Sequence, residues 1–509
     1  MKRNELRFGV VMSYVNLALS TLIPLLYTPI MLKILGQAEY GLYSLALSTV
    51  SYLSLLNLGL GNTINRYIAK YRAENDTESK EKTFGFFIIL YCVLAGIVLF
   101  CGWLISNNIN FIFEKTLTTE EVLKMKSLVM IMTISTAVSF PTTVFTAVIG
   151  SHEKYIFRTL LETAQKLITP CANLAVLFLG AGAIGLSAVA AVIQIVVLPV
   201  NIIYCIKSLK VKPRLGWLQK DLIKEMVVFT AFIFLGSLVD MLFWSTDKLI
   251  LGMLVGSTAV AVYNIGGTFN NIVMSLSSAI SGVLGPRITG MVVTDASKEE
   301  MTEIFIRVGR LQYIVLALIL SGFTVFGQFF IHLWVGPEYK DAFWVAILTM
   351  FPLAIPLIQN TGLSIIVAQN KHRFRAIVFF IIAVLNVVST YICVPYFGIV
   401  GAAFCSCVSY LLGQGLTMNI YYYKVTKLDI PLFWRNIVKM SPIPVVMTVL
   451  GLYLNKIVQV DNWIMLFSMI IGYSAVYAIL MHCFCLNEYE KSLYLPILKR
   501  IWSRIYRRS

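Results

Sequence analysis

Charged residues are scarce in this sequence. They make up 13% of its 509 residues, whereas 58% are hydrophobic and the mean hydropathy is +0.80. A soluble globular domain has about a quarter of its residues charged. The scarcity therefore excludes an ordinary soluble protein and indicates a chain that crosses a membrane many times.

Histidine is rarer still, and cysteine is poorly placed for a structural role. The four histidines are scattered along the chain, and the nine cysteines lie in or beside apolar runs. The pairs Cys405/Cys407 and Cys483/Cys485 have the wrong spacing for a tetrahedral zinc site, and no pair of loop cysteines predicts a disulfide framework. We therefore expect no metal site and no cofactor.

Apolar runs, in contrast, are abundant. A helix needs about 20 residues to cross a bilayer. Fourteen runs of roughly that length occur, at residues 8–32, 40–65, 83–106, 126–150, 159–180, 184–206, 225–251, 259–285, 308–333, 341–367, 376–396, 399–423, 437–456 and 462–486. The pattern predicts an all-α polytopic membrane protein with about fourteen transmembrane helices.

Basic residues are distributed unevenly between alternate connections. Thirty-three lysines and arginines lie in the termini and connections of one side and six lie on the other, while Lys166 and Lys248 lie within spans. Because cytoplasmic loops carry the excess of basic residues, both termini are predicted to be cytoplasmic. Topology thus accounts for the net charge of +16, and no nucleic-acid partner is needed.

Four short matches recur in the same order in both halves of the chain. They are GQAEYGLY (36–43) with GSTAVAVY (256–263), Phe140-Pro141 with Phe351-Pro352, KYIFR (154–158) with KHRFR (371–375), and GAIG (182–185) with GIVG (398–401). Their offsets are 220, 211, 217 and 216 residues. Both copies begin on the same side of the membrane, so the pattern indicates a parallel duplication of a six-helix unit.

The duplication predicts four domains. Two parallel six-helix bundles, residues 1–210 and 211–425, are expected to surround a central cavity that holds the substrate path. Residues 426–486 supply two additional C-terminal helices. Residues 487–509 form a basic amphipathic tail, which is typical of a helix lying on the anionic lipids of the inner leaflet.

The span at residues 225–251 carries Asp240, Asp247 and Lys248 within its apolar run. Each such charge costs about 2.5–3.5 kcal/mol at the middle of a membrane helix. Asp240 and Asp247 share one face of a continuous helix, whereas Lys248 points about 100° away from Asp247. We therefore predict that these charges face protein or a water-filled cavity. The alternative is that they form ion pairs that hold the two halves together.

Two stretches carry a resemblance to a known family. Residues 32–71 (LKILGQAEYGLYSLALSTVSYLSLLNLGLGNTINRYIAKY) closely resemble the signature region of prokaryotic polysaccharide exporters, the Wzx-type flippases of lipid-linked oligosaccharides. The matching positions are Gly36, Tyr40, Gly41, Tyr43, the Leu-Gly-Leu-Gly run at 58–61, and Arg66. STDKLILGMLVGSTAVAVYNIG (245–266) also matches, at a point where the family commonly has Asp followed by Arg or Lys. The superfamily includes multidrug and toxin extruders and lipid II flippases.

The resemblance implies that the protein moves an undecaprenyl-pyrophosphate-linked oligosaccharide from the cytoplasmic to the outer leaflet of the bacterial cytoplasmic membrane by alternating access. The glycan would serve O-antigen, capsule or exopolysaccharide assembly. A glycan polymerase and glycosyltransferases are the implied protein partners, with H⁺ or Na⁺ as the coupling ion. A pyrophosphate and a hydrophilic glycan cannot cross hydrocarbon unaided, so the protein must offer a hydrated, cationic path.

The candidate residues for that path are the charges within and at the ends of the spans. They are Lys248, Asp247, Asp240, Arg66, Arg287 and Lys166. Arg66 and Arg287 end matching helices at the inner mouths and could instead anchor those ends by snorkelling. Lys166 lies four residues after Glu162, so a local ion pair is its alternative.

Amides within the spans could supply hydrogen bonds to sugar, although most in-membrane amides bond neighbouring helices. The candidates are Asn57, Asn62, Asn65, Asn173, Gln194, Asn264, Asn270, Asn271, Gln359, Asn360 and Asn386.

Two other functions fit less well. A cation-coupled multidrug or toxin extruder of the same superfamily typically has twelve helices and an acid in its first helix, but the 8–32 run has none. An integral membrane glycan polymerase or ligase usually presents a large outer loop with catalytic carboxylates or arginines. The longest outer loop, 107–125, offers no plausible partner set for its three glutamates. We therefore expect a transporter and no enzyme activity.

Overall fold

The computed structural model describes residues 3–492, except 215, 217–219, 283–287, 289, 292–296, 370 and 459–461. Candidate residue Arg287 and residues 493–509 of the predicted tail lie outside this description. Within the described residues the chain is helical and has no β-strand, which confirms the all-α prediction.

Long helices follow one another with short connections. They are α1 (Arg3–Ser51), α2 (Leu60–Ala73), α3 (Thr77–Ile112), α4 (Thr119–Ser151), α5 (Tyr155–Phe178), α6 (Gly182–Ile203), α7 (Lys220–Trp244), α8 (Thr246–Leu254), α9 (Ser257–Gly282), α10 (Lys298–Val335), α11 (Ala342–Ile358), α12 (Asn360–Ala368), α13 (His372–Tyr410), α14 (Met418–Tyr421), α15 (Ile430–Met440), α16 (Pro442–Ile457) and α17 (Trp463–Phe484).

Many of these helices are long and apolar enough to cross a membrane. The described residues contain eight such segments, or nine if α11 and α12, which meet at a bend of 48°, form one span. Two of the eight are far longer than one crossing requires: Val15–Ala73 has 59 residues and Phe374–Thr426 has 53. The total of fourteen spans stays a prediction.

Each of these long segments contains a break at a glycine. Gly36 has φ 76° and ψ 168°, and Gly398 has φ 55° and ψ −136°. A positive φ is strained for residues that carry a Cβ, so glycine is suited to both positions. The break at Gly36 falls between the apolar runs 8–32 and 40–65, which the sequence predicts as separate spans.

Over the described residues the chain divides into two compact units. Unit 1 comprises Met1–Ile265 and Ala376–Ser406, and unit 2 comprises Gly266–Arg375 and Cys407–Ser509. The predicted domain boundaries at 210, 425 and 486 stay predictions.

The core of unit 1 contains buried aromatic side chains of α3 and α4. Phe84 packs edge-on against Phe145, and Tyr91 against Phe140, with centroid distances of 5.5 and 5.9 Å. The Tyr91 hydroxyl donates a hydrogen bond of 2.6 Å to Asn57 Oδ1. This contact holds the short 3₁₀ segment Tyr52–Asn57, which precedes α2, against α3.

Unit 2 has its own core, where α10 packs against α16 and α17. Its buried residues include Phe326, Met447, Leu466, Tyr473 and Tyr477. At its edge, Arg310 forms a buried ion pair of 2.6 Å with Glu490, which fastens the segment after α17 to α10.

The two units repeat one aromatic contact. In unit 1, Phe157 stacks on Tyr204 with ring centroids 3.7 Å apart and planes 7° apart. In unit 2, Phe374 stacks on Tyr421 at 4.5 Å and 6°. Both members are separated by 217 residues from their counterparts, the offset of the KYIFR and KHRFR match. A short π-helical stretch begins at Tyr204 in unit 1 (Tyr204–Ser208) and one residue after Tyr421 in unit 2 (Tyr422–Thr426).

Candidate functional site

The span predicted as one helix over 225–251 is interrupted at Ser245. Helix α7 ends at Trp244, and α8 begins at Thr246. Hydroxyl contacts hold the break, because Ser51 Oγ lies 3.3 Å from Ser245 Oγ and the Tyr52 and Thr246 hydroxyls lie 2.5 Å apart. Backbone hydrogen bonds from Ser245 N–H to Met241 O at 2.9 Å and from Leu249 N–H to Ser245 O at 3.3 Å cross the break. The common helical face of Asp240 and Asp247 stays a prediction.

Asp240 and Asp247 have different environments on the two sides of this break. Asp240, near the end of α7, is exposed. Asp247, in the first turn of α8, has a relative exposure of 0%. The prediction that these charges face protein or a water-filled cavity therefore describes Asp247, whose surroundings are protein.

Three hydroxyl groups surround the buried carboxylate of Asp247. Tyr263 donates to it at 2.5 Å, Ser406 at 2.6 Å and Thr390 at 3.3 Å. Tyr263 belongs to α9, and the other two belong to α13. A buried carboxylate is tolerated only when donors satisfy its oxygens. The four residues, called the Asp247 cluster below, thus join three helices within unit 1.

Lys248 has a separate set of partners. Its Nζ donates a hydrogen bond of 2.6 Å to Asn264 Oδ1, and Asn264 Nδ2 donates to the Tyr40 hydroxyl at 2.6 Å. Asn264 also donates to Ser44 at 3.3 Å. The divergence of Lys248 from Asp247 was predicted from helical geometry, and the structure gives each charge its own partners.

The signature glycine Gly41 permits a close approach beside this network. A Cβ at Gly41 would lie 1.8 Å from the carbonyl oxygen of Ser257, so no larger residue fits. Ser257 Oγ in turn donates to Glu121 at 2.8 Å, and Thr116 Oγ1 donates to the Gly252 carbonyl at 2.7 Å. The turn between α8 and α9 is thereby fastened to the turn between α3 and α4.

A polar cavity of about 450 Å³ lies among α2, α4, α5 and α6 of unit 1. Amides and hydroxyls dominate the polar part of its wall: Asn57, Asn62, Asn65, Ser139, Thr142, Thr143, Thr146, Gln165, Gln194 and Asn201. Four of these are amides named as candidates from the sequence, namely Asn57, Asn62, Asn65 and Gln194. The cavity is suited to a ligand that is rich in hydroxyl groups.

One ion pair lies in the wall of this polar cavity. Arg158 Nε donates to Glu162 Oε1 at 2.8 Å, and both residues line the cavity. Lys166, one turn further along α5, donates instead to Ser20 Oγ of α1 at 2.9 Å. The local ion pair expected between Glu162 and Lys166 is therefore not formed in the described structure.

Arg66 lies beside the polar cavity. Its neighbour Asn65 lines the wall, and Arg66 itself is exposed. Helix α2 continues past it to Ala73, so the helix does not end at Arg66 as expected. Its role, like the roles of the other candidate residues, stays a prediction.

The second half of the chain lacks the polar stripe of α5. At the repeat offset of 217, Arg158 corresponds to Arg375, but Glu162, Gln165 and Lys166 correspond to Phe379, Ile382 and Ala383. On α6, Gln194 corresponds to Tyr410 at the offset of 216 of the GAIG and GIVG match, and Asn201 corresponds to Met418 at the offset of 217 of Tyr204 and Tyr421.

In unit 2 several amides bond to polar side chains of the unit instead. Asn270 bonds Thr349, Gln359 bonds Asn419, and Asn360 bonds Ser281. Sequence reasoning missed Arg158, Gln165 and Asn201 as cavity residues. Comparison with the repeat would have found Gln165 and Asn201, whose counterparts are Ile382 and Met418, but not Arg158, whose counterpart is Arg375.

The fold, with charged and polar groups inside it, is that of a polytopic helical membrane protein of the transporter class. The structure is similar to that of lipid II flippase MurJ in an inward closed conformation, with a TM-score of 0.75 and 14% identity over 96% of this chain and 99% of that chain. It is also similar to an inward-facing multidrug resistance MATE family transporter of the MOP superfamily, with a TM-score of 0.64 and 14% identity over 82% of this chain and 99% of that chain.

Sequence comparison narrows the class to a family. The chain is 21% identical over 494 residues, 95% of each chain, to the uncharacterized membrane protein EpsK of Bacillus subtilis (strain 168). A family model described as polysaccharide biosynthesis protein matches residues 9–292, more than half of the chain. The protein belongs to this polysaccharide biosynthesis family, which confirms the resemblance stated from the sequence.

Proposed function

We propose that the protein moves an undecaprenyl-pyrophosphate-linked oligosaccharide from the cytoplasmic to the outer leaflet of the bacterial cytoplasmic membrane by alternating access. The glycan would serve O-antigen, capsule or exopolysaccharide assembly. The observation that carries this proposal is the polar cavity of about 450 Å³ inside unit 1 of an otherwise apolar chain. Membership of the polysaccharide biosynthesis family and the MurJ-like fold support it.

The chemistry of the polar cavity suits a sugar. Each polar group left without a partner in hydrocarbon costs several kcal/mol, so a glycan crosses only where protein groups or water replace its hydration. Side-chain amides both donate and accept hydrogen bonds, as sugar hydroxyls do. The amides in the wall thus match the hydrogen-bonding groups of a glycan in kind.

Arg158 is the cation best placed for the pyrophosphate within this cavity. Its guanidinium can form two parallel hydrogen bonds with an anionic group. In the structure Glu162 occupies one of these donors at 2.8 Å. We propose that the head group displaces Glu162 from Arg158 when it enters.

The residues predicted from the sequence keep roles in this proposal. Lys248, Lys166, Arg66 and Arg287 attract the anionic head group, while Asp247 and Asp240 take part in coupling to H⁺ or Na⁺. The six-helix halves at 1–210 and 211–425, with helices 426–486 appended, are the proposed moving parts. A glycan polymerase and glycosyltransferases are the proposed protein partners.

Leaflet-resolved transport of a defined lipid tests the function. Liposomes that contain the purified protein and a fluorescent undecaprenyl-pyrophosphate oligosaccharide should show transfer of the label between leaflets, and protein-free liposomes should not. In cells, removing the protein should eliminate the surface glycan and leave the lipid-linked precursor accessible only from the cytoplasm. If the precursor still reaches the outer leaflet at the normal rate, the proposal fails.

A further inference from the structure

A second concavity, called the α1–α5 groove below, continues the polar cavity sideways. It has a volume of about 490 Å³ and lies between Ile23, Pro24 and Tyr27 of α1 and Thr169 and Pro170 of α5. Most of its wall is apolar, and it is more apolar than the wall of the polar cavity.

The groove and the cavity share part of their walls. Glu162 and Gln165 line both of them. Arg158, the ion-pair partner of Glu162, lies on the cavity side, and Lys166 lies on the groove side. A single helical stripe of α5 therefore separates a space suited to a glycan from a space suited to hydrocarbon.

The boundary between the two spaces falls within the span predicted at residues 159–180. Lys166 is seven residues into that span, which corresponds to about 10 Å along the helix axis. The hydrocarbon core is about 30 Å thick, so Lys166 lies within it in the predicted topology. An ionisable group within a span is expected to serve a function.

Proline supplies acceptors beside this amine. Lys166 Nζ donates to Ser20 Oγ at 2.9 Å. Pro24 and Pro170 lie four residues after Ser20 and Lys166, and proline has no N–H to bond the carbonyl four residues earlier. The backbone carbonyls of Ser20 and Lys166 thus lack their helical hydrogen bond. An amine donor and carbonyl acceptors therefore lie at one point of an apolar groove.

Both helices that form the groove also carry exposed apolar side chains outside it. Leu26 of α1 and Ile168 of α5 have relative exposures of 70% and 56%, and neither lines the groove. In a membrane such side chains are expected to contact acyl chains. The groove is therefore formed by helices that we expect to border the lipid.

We propose that the α1–α5 groove binds the polyprenyl chain of the substrate, with the phosphate next to it at Lys166 and the glycan in the polar cavity. The inference rests on the proposed function and adds the path of the lipid tail. The chemistry of the groove supports this ligand. A prenyl phosphate carries an anion at one end of a hydrocarbon chain, and Lys166 places a cation at the edge of an apolar groove. The counterparts of Gln165 and Lys166 in the second half, Ile382 and Ala383, provide no such junction.

Photo-crosslinking tests the groove directly. The probe is an undecaprenyl monophosphate with a diazirine in its chain, added to the full-length protein in nanodiscs of phosphatidylethanolamine and phosphatidylglycerol. Mass spectrometry should place the crosslinks on the groove residues of α1 and α5, and unlabelled undecaprenyl phosphate should compete. Lys166→Met should reduce labelling about tenfold, the effect of losing one charge-assisted hydrogen bond.

Matched variants separate the groove from its surroundings. Thr169→Trp fills the groove and should reduce labelling as strongly, whereas Ile168→Trp points to lipid and should not. Lys33→Met, at an exposed site on the same α1 helix, controls for the loss of a lysine. Only variants that elute as folded protein in size-exclusion chromatography are compared, and Lys166→Met keeps the test decisive if Thr169→Trp does not fold.

Three outcomes would overturn the inference. Crosslinks that fall outside the groove, while liposomes still move the lipid-linked oligosaccharide, reject the groove and leave the proposed function intact. Equal groove labelling by a diazirine phosphatidylethanolamine shows that the groove holds bulk lipid. If the wild-type protein neither transfers the oligosaccharide nor is labelled selectively by the prenyl phosphate, both the proposed function and the inference are rejected.

Discussion

The Asp247 carboxylate accepts a hydrogen bond of 2.6 Å from Ser406, a residue 159 positions later in the chain. Both groups are buried, with relative exposures of 0% and 3%. Together with Tyr263 and Thr390 they join α8, α9 and α13. Asp247, which precedes a basic residue as is common in the family, is thus a structural centre of unit 1 in this conformation.

Removing that carboxylate should destabilise the protein. Asp247→Ala leaves three buried hydroxyl donors without their acceptor and should cost about 3 kcal/mol. Asp247→Asn keeps one acceptor oxygen, so its loss should be smaller. Thermal unfolding followed by size-exclusion chromatography measures both variants. Glu299→Ala, at an exposed acid of α10, is the control and should unfold near the wild-type temperature. Equal unfolding temperatures for Asp247→Ala and the wild type would show that the cluster is not structural.

Lys248 should matter for transport rather than for stability. Lys248→Ala should abolish glycan export while the amount of protein in the membrane stays near normal, and Lys248→Arg should retain much of the activity because it keeps the positive charge. The measurement is surface glycan per amount of membrane protein. Asn264, the hydrogen-bond partner of Lys248, remains bonded to Tyr40 in these variants, which limits the structural effect.

A double variant distinguishes the two roles of Lys248. If Asp247 and Lys248 only balance one another, Asp247→Asn with Lys248→Gln should recover both abundance and transport. If Lys248 handles the substrate, the double variant should stay inactive even when it is folded. Recovered transport would therefore assign this helix an architectural role alone.

Local features of the chain were predictable from the sequence. The apolar runs predict helices. Gly36 lies between the runs 8–32 and 40–65, so a break near it could be expected. The match of KYIFR with KHRFR indicated that these two places are related. It did not predict that Phe157 stacks on Tyr204 or that Phe374 stacks on Tyr421. The predictable features depend on neighbours in sequence or on periodicity, which a single chain displays.

Features that depend on distant partners were not predictable. Nothing near Asp247 in sequence shows that Thr390 and Ser406 would donate to it. The polar cavity arises because α2, α4, α5 and α6 turn amides and hydroxyls toward one space. No single helix reveals that convergence, although the loss of these groups in the repeat points to it.

Topology can be tested at two exposed turn residues. Asn75 lies in the turn between α2 and α3, and Thr118 is the N-cap of α4. In a variant without native cysteines, Thr118→Cys should react with a membrane-impermeant maleimide in intact cells, and Asn75→Cys should react only after the membrane is opened. The 33-to-6 distribution of basic residues is the reason for this orientation. Labelling of Asn75→Cys in intact cells would show that the chain has the opposite orientation.

The polar cavity of unit 1 should be required for transport. Gln194→Leu replaces an amide of the cavity wall with a good helix former of similar size, so α6 should tolerate it. Loss of one or two neutral hydrogen bonds to the glycan should reduce export about threefold to tenfold with unchanged thermal stability. Gln359→Leu in unit 2 is the matched control. It breaks the 2.8 Å bond to Asn419, so it should lower the unfolding temperature and leave export per folded molecule unchanged. If Gln359→Leu impairs export of the folded protein while Gln194→Leu does not, glycan recognition does not depend on the unit 1 cavity.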